Sequence, residues 1–134
     1  MAETAANKRL VVTALTELFI AGDASAADRY WAESYVQHNP RAPNGAGALR
    51  ALVENSPPDF RYEIGMVVAD GDIVMVHGRY HGLGPGPVIV ADIFRVQGDR
   101  IVEHWDVAQK EITDTASGNP MFTAPAIPVT TPSA

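Results

Sequence analysis

The sequence predicts an α+β domain in which helices pack on one face of a curved antiparallel sheet. Helical periodicity dominates up to residue 54, and alternating strand patterns run from residue 60 to 109. The order is therefore helices early, then consecutive antiparallel strands. At 134 residues the chain fits one domain that buries roughly two thirds of its unfolded surface. The domain is assigned to residues 1–115, and residues 116–134 form a proline-rich tail without periodicity. Such a tail is expected to be mobile alone or pinned against a partner subunit.

The first helix covers residues 5–21, where Leu10, Val11, Ala14, Leu15, Leu18 and Phe19 form one stripe. Thr4 is placed as its N-cap and Gly22 as its C′ glycine. A short second helix runs from Ser25 to about Trp31. Residues 34–38 read as extended and stop at Asn39-Pro40, because the residue before proline disfavours helix. A third helix spans Gly45 to Glu54 and ends at Pro57-Pro58. Asp70-Gly71 marks a hairpin between residues 60–69 and 72–81. A turn on those two residues pairs Met66 with Met75, Ile64 with His77 and Tyr62 with Arg79, all on one face.

The last hairpin, residues 88–109, concentrates the ionisable residues. Asp92 and Phe94 share a face on its first strand, and His104 and Asp106 share one on the second. A two-residue Gly98-Asp99 turn would pair Asp92 with Trp105. A three-residue loop, Gly98 to Arg100, with a bulge pairs Asp92 with Asp106 and Phe94 with His104, and is preferred because it gathers the acids and the imidazole. Two carboxylates and an imidazole among Val, Ile and Phe are costly without a purpose. Facing acids in an apolar pocket cannot easily both stay ionised, so one is expected to carry a transferable proton.

Composition excludes several function classes. The chain has no cysteine, so disulfides, thiolate metal sites and cysteine nucleophiles are absent. Net charge is −6 and the ten basic residues are scattered, which argues against nucleic-acid binding. Gly82 to Gly86 lacks the strand-to-helix setting of a phosphate loop. No window approaches the ~20 apolar residues of a membrane span. The N-terminus lacks the order of a secretory signal, so a cytoplasmic location is expected.

Three segments carry a family resemblance: Tyr35 to Pro40, Val68 to Val74, and Asp92 to Arg95 continuing through Ile101 to Asp106. In their order and spacing the chain resembles the SnoaL-like polyketide cyclase group of the nuclear transport factor 2-like superfamily. The resemblance implies a cone-shaped barrel, a curved antiparallel sheet wrapped around three N-terminal helices and enclosing a pocket. It further implies intramolecular aldol ring closure with no cofactor and no metal, with the acid/base aspartate at Asp106. Ketosteroid isomerase, of the same superfamily, would place its oxyanion-hole acid at Asp92 and its general base at His38. Its oxyanion tyrosine falls near Leu15, which has no hydroxyl.

These readings converge on Asp106, Asp92, His38 and His104 as catalytic candidates. Trp31, Tyr35, Tyr62, Met66, Met75, His77, Arg79 and Phe94 are assigned to the substrate pocket, Arg79 as a partner for an acid or an anionic substrate group. No metal is assigned, since no HxH or HxxxH spacing occurs on one element. The expected function is a cofactor-free acid/base enzyme acting on a small apolar carbonyl compound, by aldol cyclisation or isomerisation. Epoxide or ester hydrolysis is an alternative, with Asp106 activating water beside Asn39 or Arg79. Another is a non-catalytic binding or dimerisation module, whose sign would be a cavity no larger than ~100 Å³. A homodimer through the sheet's outer face is expected, with Val74, Val76 and Trp105 at the contact.

Overall fold

The computed structural model describes residues 2–124. Helix α1 (Ala2–Leu15) runs without a break into a π-helical turn at Thr16–Ile20, followed by α2 (Ala26–Tyr30), β1 (Trp31–Gln37) and α3 (Ala46–Glu54). Strands β2 (Arg61–Asp70), β3 (Ile73–His81), β4 (Val88–Gln97) and β5 (Arg100–Lys110) complete one sheet in the order β1-β5-β4-β3-β2. β2 to β5 pair antiparallel, whereas β1 lies parallel to β5 at the edge. The sheet is thus mixed at that edge, a difference from the uniformly antiparallel expectation. The α+β class with helices packed against the sheet is what the periodicities predict, and β1 stands between α2 and α3 in the chain.

The core fills the space between α1, the π turn and the inner sheet face. Val11, Leu15 and Leu18 meet Tyr35, Val74, Val76 and Ile101 there, all fully buried. Thr16 donates its hydroxyl back to the Val12 carbonyl (2.7 Å), as the helix widens into the π turn. The π turn carries Leu18 and Phe19 inward, and Phe19 meets Tyr62 and Tyr80 edge-on. Thr4 lies inside α1 rather than capping it; its hydroxyl accepts the Gly71 N–H (3.1 Å) at the β2–β3 turn. Asn7 Nδ2 donates to the Gly71 carbonyl (3.0 Å), so the helix and that turn hold each other.

Both hairpins depart from the expected turns. In β2–β3 the turn is Gly71-Asp72, with Asp70 opposite Ile73, and a bulge between Ile64 and Val67 shifts the register. Tyr62 therefore pairs with Tyr80, Glu63 with Arg79 and Val68 with Met75. In β4–β5 the turn is the two-residue Gly98-Asp99, with Gln97 opposite Arg100. The pairing of Asp92 with Asp106 and Phe94 with His104 is nevertheless present, because β5 carries an extra residue, Val102, between Ile101 and Glu103.

Beyond β5 the chain turns back over the outer sheet face, where Phe122 is buried against Gly65 and stacks on His77. Arg79 lies 4.6 Å from the Phe122 ring centroid. The C-terminal part of the proline-rich tail, 125–134, lies outside the described residues. No helix among the described residues is long and apolar enough to cross a membrane.

Candidate functional site

The inner sheet face and α3 enclose a cavity of about 640 Å³, within the range of small-molecule sites. Its walls are mainly apolar: Phe19, Trp31, Tyr35, Leu49, Leu52, Val90 and Phe94. Alternation along β4 and β5 carries Asp92, His104 and Asp106 onto this same face. Alternation along β1 brings in Tyr35, then Gln37, and the chain continues inward at Asn39.

Asp92 is almost wholly buried. Its Oδ2 accepts the Tyr80 hydroxyl at 2.8 Å and its Oδ1 lies 2.7 Å from His104 Nε2. On the other side of the ring, His104 Nδ1 is 2.7 Å from Gln37 Oε1, which also accepts the Asn39 N–H at 3.0 Å. An amide oxygen can only accept, so Nδ1 carries a proton and Nε2 faces the acid. A 2.7 Å nitrogen–oxygen contact there requires one shared proton, so the His104–Asp92 pair is neutral as a unit. Asp106 Oδ2 lies 3.9 Å from the same Nε2. Its two oxygens take the Asn39 Nδ2 group at 3.0 and 2.8 Å.

The phenols around this cluster stay protonated. Burial first, and then the charge of Asp92, push Tyr80 and Tyr35 well above the ordinary phenol value. Protonated Tyr80 is what Asp92 needs as a donor. Asp92, His104 and Asp106 also bring one ligand atom each within 4.8 Å of one another. Each of those atoms has a protein partner in the network just described.

Several residues assigned to the pocket from sequence lie elsewhere. His38 is on the outer face, half exposed, with Nε2 2.7 Å from Glu103 Oε2 and its ring stacked on Trp105 at 4.8 Å. It is out of phase with Tyr35, Gln37 and Asn39, so it cannot act in the cavity. Met66 and Met75 are exposed on the outer face. His77 also faces outward, beneath Phe122. Arg79 is paired with Glu63 (3.0 Å) and Glu111 (2.8 Å) and does not line the cavity, so it partners neither Asp92, nor Asp106, nor a substrate group there. The bulged register of β2 and the one-residue later turn account for all four. Tyr62 does face inward but sits behind Tyr80, outside the cavity wall. Val74 and Val76, expected at a subunit contact, are core residues.

Gln37 and Tyr80 were not foreseen. Gln37 lies two residues after Tyr35, so strict alternation from Tyr35 would have found it. Tyr80 was hidden by the assumed turn.

Among curated proteins none matches the chain. Solved structures share its fold. A ketosteroid isomerase candidate from Kribbella flavida aligns with a TM-score of 0.69 at 14% identity, over 81% of this chain and 81% of that one. A polyketide cyclase candidate from Acidithiobacillus ferrooxidans aligns with a TM-score of 0.64 at 21% identity, covering 78% and 88%. An LEH-like epoxide hydrolase from M. tuberculosis aligns with a TM-score of 0.62 at 23% identity, covering 80% and 85%. Identities this low establish the fold alone. The profile of the SnoaL-like domain matches residues 12–104, most of the chain. With the helices, the curved sheet and the inward acid cluster in place, that match identifies the protein as a member of the SnoaL-like domain family.

Proposed function

We propose that the protein is a cofactor-free acid/base enzyme acting on a small, largely apolar carbonyl compound, by aldol cyclisation or isomerisation. Asp106 takes the proton from the carbon beside the carbonyl, and negative charge develops on the substrate oxygen. Asn39 keeps both carboxylate oxygens in place. The His104–Asp92 pair, neutral before the reaction, stands 3.9 Å away and is positioned to redistribute a proton as charge leaves Asp106. His104 thereby returns the proton, and His38, on the outer face, has no part in the step.

The observation that carries this reading is a carboxylate gripped at both oxygens on the wall of an apolar cavity of about 640 Å³. That volume also weighs against a module with a filled interior. The test is isomerisation of cyclohex-3-enone to the conjugated enone, followed by its ultraviolet absorbance. The reading expects Asp106→Asn to slow the wild-type rate by about 10²- to 10⁴-fold. Equal rates for the two proteins would sink it.

Asn39 beside Asp106 also favours epoxide hydrolysis, since an amide and a carboxylate together can hold a water. Hydrolysis of 1-methylcyclohexene oxide with inversion at one carbon, dependent on Asn39 and Asp106, would select this second reading. We further propose a cytoplasmic homodimer joined through the outer sheet face, where Met66, Val68, Met75 and Val107 are exposed. Sedimentation showing only a monomer at high concentration would remove the dimer.

A further inference from the structure

The proposed chemistry moves negative charge onto a substrate oxygen, and that oxygen needs a donor. Among the described buried side chains that line the cavity two donors are left, the unpartnered Trp31 Nε1 and the Tyr35 hydroxyl, and only the second is held in the Gln37–His104 network. Asp92 has spent its oxygens on Tyr80 and His104, and Asn39 has spent its amide group on Asp106. The Tyr80 proton is committed to Asp92. Tyr35 is different. Its hydroxyl oxygen accepts Gln37 Nε2 at 3.1 Å, while its own proton has no acceptor among the described residues.

Tyr35 also has the right surroundings. Its side chain is 1% exposed and lines the cavity together with Asp106. Its ring stands 6.3 Å from that of His104. Burial first, then the charge of Asp92, keep its phenol protonated far into alkaline pH. The Gln37 side chain ties both groups together, donating to the Tyr35 oxygen while accepting from His104 Nδ1. An amide N–H on the phenol oxygen polarises the O–H and makes it a stronger donor.

We propose that Tyr35 is a catalytic residue, donating its phenol proton in a hydrogen bond to the substrate's developing enolate oxygen, with Gln37 as its positioning residue. The inference rests on the proton-transfer reading of Asp106. It narrows the substrate to compounds that can place a carbonyl oxygen at Tyr35 while their α-carbon reaches Asp106. No bond to the tyrosine proton breaks; the hydrogen bond strengthens as the oxygen becomes negative.

The test uses 4-nitrophenol as a stand-in for the enolate, bound to the Asp106→Asn protein. That variant mimics the site after the base has taken its proton, so net charge matches the intermediate. We expect the bound probe to show the absorbance of its anion at a lower pH than free probe. Adding Tyr35→Phe should weaken binding of the anion about tenfold or more. Gln37→Met, which keeps the phenol but removes its amide partner, should weaken it less. With Asp106 intact, Tyr35→Phe should lower kcat on cyclohex-3-enone about 10²-fold with KM within about threefold. Undiminished anion affinity in Tyr35→Phe, or no anion binding to Asp106→Asn at millimolar probe, overturns the inference. Loss of activity in Asp106→Asn alongside full activity in Tyr35→Phe would remove the tyrosine's role and leave the base standing. An Asp106→Asn protein as active as wild type would remove the base itself.

Discussion

Asn39 uses every polar atom of its side chain. Its Nδ2 meets both Asp106 oxygens, and its Oδ1 accepts the Arg41 N–H at 2.8 Å. One amide therefore fixes both the base and the loop that enters the cavity wall. Asn39→Leu is expected to lower kcat by about 10- to 100-fold through misplacement of the base, with the fold retained; steady-state kinetics and a melting curve check it. Tyr80 plays a structural part for Asp92. Tyr80→Phe leaves a buried acid oxygen without its donor and should cost about 1–3 kcal/mol in urea unfolding. Unchanged stability would show that Asp92 does not depend on that bond. At this scale the acids and His104 were legible because alternation places them on one face. His38 was assigned to the site through the general-base position that the resemblance implies, whereas its phase puts it outside with Glu103 and Trp105.

Strand existence and hairpin locations were readable from alternation and the Asp-Gly and Gly-Asp pairs. The bulge positions were missed. Val102 is the extra residue that lets a two-residue turn and an Asp92–Asp106 pairing coexist. The bulge between Ile64 and Val67 has the same effect on β2, and without it Met66 and His77 were drawn inward. Nothing local marks the β5 position as bulged, whereas the lone Gly65 within the β2 pattern is a local sign of the other bulge. The preference comes from which residues the finished sheet must bury. Gly65 lies inside the β2 irregularity and is a sharp test of the outer face. A Cβ there would stand 2.7 Å from the His77 carbonyl oxygen and 2.8 Å from Phe122 Cε1. Because one neighbour is backbone, Gly65→Ala should destabilise by about 1–3 kcal/mol and loosen Phe122. Urea unfolding and hydrogen exchange at residues 119–123 would read both effects. A neutral Gly65→Ala would mean that the segment after β5 does not press on the sheet.

The whole molecule buries three phenols, Tyr35, Tyr62 and Tyr80, each raised first by burial and then by the charge of Asp92. The unfolded chain releases these protons near the ordinary value of 10.0, whereas the folded protein keeps them. Their contribution is fully present below pH 10.0 and is lost as pH rises beyond it toward the folded values. Each phenol is expected to steepen the alkaline loss of stability by about 1.4 kcal/mol per pH unit. Tyr62 isolates the effect, since its hydroxyl is buried without a partner among the described residues. Tyr62→Phe should flatten the alkaline slope by one proton and leave stability at pH 7 equal or up to about 1 kcal/mol higher. Equal slopes in the two proteins would refute the linkage.

The α+β architecture was legible as a whole, because its helical and alternating periods differ so strongly. A pocket was implied by the family resemblance, but its volume was not legible, since it depends on how far α3 stands from the sheet, which no local pattern encodes. That hollow and the base on its wall are the centre of the account. Solvent-deuterium exchange at the α-carbon of cyclohex-3-enone, followed by NMR, tests them most directly because it reads proton abstraction alone. The wild-type protein should exchange the α-hydrogens far above the buffer rate, and Asp106→Asn should return them to it; equal exchange by the two proteins would contradict the account.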